Sequence, residues 1–113
     1  MLRPLFLLLA CLTFGVAACV FGKPMMVWEL NSECLFTTGG SGREDDICGG
    51  AKVSICKDFE DTMSEKFASR DQCLAKCREL RESLYPKHIV DGCLQSVGNA
   101  FTLCGQFCSR NYP

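Results

Sequence analysis

Ser69-Arg70-Asp71-Gln72-Cys73-Leu74-Ala75-Lys76-Cys77 decides the fold class. Ser69 and Gln72 have the Ser-x-x-Gln spacing of a capping box, in which the serine oxygen and the glutamine side chain satisfy open backbone N–H groups. A helix therefore starts near Arg70. Cys73 and Cys77 follow one turn apart on one face of it. Cys104-Gly105-Gln106-Phe107-Cys108 repeats the spacing. Cysteines four apart in a regular helix are badly placed to bond each other. Two antiparallel helices instead pair Cys73 with Cys108 and Cys77 with Cys104. The expectation is a twin Cys-x3-Cys helical hairpin, with about 3–4 kcal/mol from a Cys77–Cys104 bridge on the loop-entropy model.

Working outward, Cys73, Leu74, Cys77, Leu80 and Leu84 give the helix from Arg70 its apolar face. Pro86 disfavours helix at Tyr85 and is expected to end it there. Upstream, Val53, Cys56, Phe59, Met63 and Phe67 recur at three- and four-residue spacing, one face of a further helix. Downstream, residues 89–109 carry Cys93, Val97, Ala100, Phe101, Cys104 and Cys108 as a stripe. Gly92, Gly98 and Gly105 weaken that helix by roughly 1 kcal/mol each against alanine, or let a neighbour approach closely. Near the start, Met25-Met26-Val27-Trp28-Glu29-Leu30, the turn signal Asn31-Ser32 and Cys34-Leu35-Phe36-Thr37-Thr38 suggest a short β-hairpin. Residues 37–42 read as a polar loop, and Arg43-Glu44-Asp45-Asp46 offers acidity for a helix start. The fold class expected is mainly α: a small three-helix, disulfide-stapled domain, with the hairpin as an N-terminal candidate.

The twin motif resembles that of the small chaperones of the mitochondrial intermembrane space. Their motifs are joined by a shorter connection, and they lack an export leader of the kind described next. What the resemblance implies here is limited to two helices stapled by four cysteines.

Met1-Leu2-Arg3-Pro4 carries one positive charge, and residues 5–16 carry none. This charged start and apolar run, ending in small residues, has the layout of a secretory signal peptide. The run is too short to span a bilayer, which needs ~20 apolar residues. At its end, Val16-Ala17-Ala18-Cys19 resembles a bacterial lipobox, whose cysteine is acylated and becomes the first mature residue. The resemblance implies residues 1–18 as signal peptide, 19–24 as lipidated tether and 25–113 as the cysteine-rich helical domain. It also implies two or three acyl chains on Cys19, enough for stable anchoring. Val20 follows rather than aspartate, which implies the outer membrane, facing the periplasm, in a host with two membranes. Ordinary cleavage to a freely secreted disulfide-rich effector or inhibitor is the alternative.

The chain has ten cysteines. Cys11 leaves with the leader, and lipid on Cys19 leaves eight to pair: Cys34, Cys48, Cys56, Cys73, Cys77, Cys93, Cys104 and Cys108. An export compartment favours disulfides, and a domain this small needs staples. Eight cysteines allow 105 pairings; beyond the hairpin, Cys56 with Cys93 and Cys34 with Cys48 is the pairing expected. A zinc site on the same thiolates is the rival chemistry, but structural zinc favours closer spacing such as Cys-x2-Cys, so no metal and no cofactor is expected.

The full chain has a formal net charge of −1, and loss of Arg3 makes it −2. There is no basic surplus for nucleic acid. The single histidine, His88, sits in a turn without a catalytic companion, and no nucleophile-elbow, paired-histidine or phosphate-loop motif occurs. The expectation is a non-enzymatic envelope protein with a structural or protein-binding role and no small-molecule substrate. Its candidate partner surface is Met26, Trp28 and Leu30, within the apolar stretch beside the anchor, a patch placed either to rest on the membrane or to bind a protein. The competing role for that stretch is to cover the open side of the helix array.

Overall fold

The computed structural model describes residues 22–36 and 43–113, with side chains from residue 47 onward in the second segment. The leader, Cys19 and the loop at residues 37–42 lie outside the described residues. Among the described residues four helices follow one another: α1 (Val27–Phe36), α2 (Arg43–Met63), α3 (Arg70–His88) and α4 (Leu94–Asn111). The class is mainly α, as expected, with one helix more than expected and no strand among the described residues.

The candidate β-hairpin is a helix instead. Glu29 Oε2 accepts the Met26 backbone N–H at 2.8 Å, which is the glutamate half of a capping box with Met26 at the cap. Leu30 N–H then closes the first turn on Met26 O at 3.1 Å. Leu30 and Cys34, four apart, point into the core. The β-branched and aromatic content of the stretch is overridden by that one-sided burial.

α2 buries Ile55, Cys56, Phe59 and Met63, whereas Val53, expected on the same face, is 58% exposed. The helix stops at Met63, and the chain turns through residues 64–69. Phe67 still reaches the core from this turn: its ring meets Tyr112 edge-on at 5.9 Å, and its N–H donates to Tyr112 Oη at 3.1 Å.

The break before α3 is the capping box read from sequence. Ser69 is extended (φ −154°, ψ 164°) and its hydroxyl accepts the Gln72 N–H at 3.2 Å. Gln72 Oε1 accepts from the Ala68 N–H at 2.6 Å, one residue before the cap. α3 does not end at Tyr85 but runs through Pro86 to His88. Pro86 cannot donate to the Glu82 carbonyl, but both residues face solvent, so water can satisfy that oxygen and one further turn survives.

α4 begins at Leu94 rather than Ile89, because Asp91 and Gly92 form a turn. Asp91 Oδ1 accepts the Cys93 N–H at 2.9 Å, a local bond that competes with helix. Gly92 takes φ +76°, a conformation open to glycine and strained for other residues. Gly92 therefore belongs to the turn, not the helix. A Cβ at Gly98 would meet nothing within 4 Å, and one at Gly105 would touch Leu74 Cδ2 at 3.9 Å. Neither glycine is needed for a close helix approach.

Asp91 Oδ2 lies 2.7 Å from His88 Nδ1. The Cys93 N–H, and then His88, hold the Asp91 carboxyl below its ordinary value. A depressed acid stabilises the fold above its unfolded-state value, and that contribution fades as pH falls through the folded-state value. Acid unfolding curves are therefore expected to show a small low-pH loss of stability in the native protein that is absent in Asp91→Asn.

Candidate functional site

Four disulfides tie the helices into one covalent network. Cys73–Cys108 and Cys77–Cys104 join α3 to α4 as the antiparallel hairpin requires, with Cα separations of 5.7 and 5.9 Å. The other four cysteines pair differently from the expectation. Cys34 bonds Cys56, linking α1 to α2, and Cys48 bonds Cys93, linking α2 to the residue before α4. The reason lies in helix geometry: Cys48 and Cys56 are two turns apart on α2, so they serve different neighbours. The covalent path runs α1–α2–α4–α3.

The two hairpin bonds stack. Cys77 Sγ and Cys108 Sγ, which belong to different bonds, are 3.6 Å apart, and Cys73 Sγ meets Met63 Sδ at 3.7 Å. The sulfurs of Cys73, Cys77 and Cys108 lie close enough together to hold a metal ion as thiolates. In the bonded state they have no thiolate to offer, and the cluster is the buried centre of the fold. Arg81 lies over the Phe101 ring at 4.2 Å, covering the outer side of the same α3–α4 interface.

The candidate partner patch is divided by the helix. Leu30 is 1% exposed and belongs to the core, which removes it from any surface; Met25 is buried with it. Met26 and Trp28 are exposed, Trp28 to 63%. With them stands a residue the sequence reading did not select. Phe36, at the end of α1, is 83% exposed and lies two turns from Trp28 on the same face. Its signal was available in the four-residue spacing Trp28, Ser32, Phe36.

Trp28 and Phe36 border an open groove of about 530 Å³ between α1 and the end of α4, whose far wall is Leu103, Gln106 and Arg110. The N-terminal segment is pinned at this groove. Asn111 Nδ2 donates to Met25 O at 2.9 Å, and a side chain at Gly22 would meet Arg110 Nε at 3.5 Å. Lys23 and Arg110 supply cations to the rim, and Glu29 and Glu33 supply carboxylates.

Ile47, Ile89 and Val90 are exposed as well. These residues flank the Cys48–Cys93 bond in sequence. Among the described residues no helix is long and apolar enough to cross a membrane. Comparison with protein-family models, curated proteins and solved structures finds no match.

Proposed function

We propose that the chain is a small cell-envelope lipoprotein with a structural or protein-binding role and no catalytic step. In this reading residues 1–18 are removed on export and Cys19 carries the acyl anchor. The domain from residue 25 onward is held at the outer side of the cytoplasmic membrane, or at the outer membrane facing the periplasm in a host with two membranes.

The observation that carries the proposal is the cysteine inventory. All eight described cysteines are taken up by four mutual bonds. Cys19, at the lipobox-like site, is therefore left without a partner among them, as a thioether-linked residue would be. A domain in which all eight described cysteines are buried and paired also suits an oxidising compartment.

Metabolic labelling with palmitate followed by fractionation tests this reading. Labelled protein in the membrane fraction, and unlabelled soluble protein for Cys19→Ser, are the expected results. Unlabelled native protein in the medium overturns the anchor in favour of a freely secreted effector or inhibitor.

A further inference from the structure

We propose that the α1 face bearing Trp28 and Phe36 is a membrane-docking surface that rests in the headgroup region of a phospholipid bilayer. The inference rests on the acylation of Cys19 proposed above and adds an orientation to it. The first argument is reach. Cys19 is three residues from Gly22, and three extended residues span at most about 10–11 Å. Gly22 lies against Arg110, which lines the Trp28–Phe36 groove. On the domain side of Gly22 the segment is fastened to α4, because Asn111 Nδ2 donates to the Met25 carbonyl at 2.9 Å. An acyl chain on Cys19 therefore enters the bilayer beside this groove rather than at the Cys48–Cys93 end.

The second argument is chemistry. Trp28 and Phe36 are exposed on one helix face, and tryptophan favours the membrane–water boundary, where its ring is half in apolar surroundings and its N–H stays wet. Lys23 and Arg110 stand at the rim, and long basic side chains can lie along an apolar surface while their charges meet phosphate. Glu29 and Glu33 balance those charges, and Glu29 is also engaged with the Met26 N–H. A face so balanced fits a zwitterionic phospholipid surface and does not call for an anionic one.

Trp28 is the chain's single tryptophan, so its fluorescence reports this face alone. The native full-length gene product, purified from membranes and its acyl mass verified, is reconstituted into phosphatidylcholine vesicles with chains brominated near the headgroup or near the chain end. A blue-shifted emission, quenched mainly by the headgroup-proximal bromines, is expected, since an interfacial helix sits ~5–10 Å into the boundary. Phe36→Asp should reduce the quenching with helix content unchanged, because Phe36 is exposed. Acylated protein whose Trp28 emission is the same with and without brominated lipid overturns the docking and leaves the anchor standing. In that case the face is open to a protein partner. Absence of acyl mass overturns both readings, and the mass spectrum distinguishes that failure from the first.

Discussion

Replacing Cys73, Cys77, Cys104 and Cys108 together by alanine is expected to cost about 6 kcal/mol and leave the chain largely unfolded, whereas removing either bond alone costs only about 2.5 kcal/mol, so the combined loss exceeds the sum of the two single losses by about 1 kcal/mol. The inequality follows from nesting. The two bonds close chain separations of 35 and 27 residues, one inside the other. With either in place, closing the second orders an effective loop of roughly eight residues, so its own entropic contribution is small. With neither in place, the whole connection between α3 and α4 is freed. A loss of ~6 kcal/mol reaches the total stability of many small domains, about 5–15 kcal/mol. Urea midpoints of the native protein, the two single-bond variants and the quadruple variant measure the effect. Strictly additive losses would contradict the nested account.

Phe59→Ala is expected to destabilise by about 3–5 kcal/mol, while Val53→Ala changes stability by no more than about 0.5 kcal/mol. The two residues sit on one apolar stripe in the sequence. In the structure Phe59 is fully buried, in the core cluster with Leu30, Ile55, Val97 and Leu103, whereas Val53 faces solvent. Removing the ring leaves a cavity that the disulfides prevent from collapsing freely, because α1, α2 and α4 are covalently held around it. Denaturant unfolding of both variants reads the contrast, and comparable losses at the two positions would place Val53 in the core.

The α3–α4 hairpin was legible because its signals are local. The Ser69–Gln72 box and the two four-residue cysteine spacings each need only a few adjacent residues. Cys56, Phe59 and Met63 were legible as a face for the same reason, but the edge of that face was not. Ile55 replaces Val53 because the core wraps toward α1, which the Cys34–Cys56 bond and the burial of Leu30 place against α2.

The N-terminal helix was misread because Met25 to Leu30 has strand-like composition. Its helical signals, Leu30 with Cys34 and Glu29 beside the Met26 N–H, become decisive only once one face is buried. The pairing of Cys48 with Cys93 was not legible at all. It depends on the turn that Asp91 and Gly92 impose before α4, which sequence spacing does not encode.

Half of the candidate surface was legible in the same sense. Met26 and Trp28 are exposed, as a partner patch requires, but the helix carries Leu30 inward. It brings in Phe36, two turns along α1, with Lys23 just before the helix and Arg110, which is far from the patch in sequence and joined to it only by the packing of α1 against the end of α4.

The intact mass of the natively expressed protein reads the disulfide staples and the proposed Cys19 anchor in one measurement. The mass is measured in membrane and soluble fractions, with thiols alkylated before and after reduction. The account predicts a membrane-bound species that begins at Cys19, carries acyl mass, accepts no alkylation before reduction and accepts eight equivalents after it. A soluble species without acyl mass, or thiols that react before reduction, would contradict it.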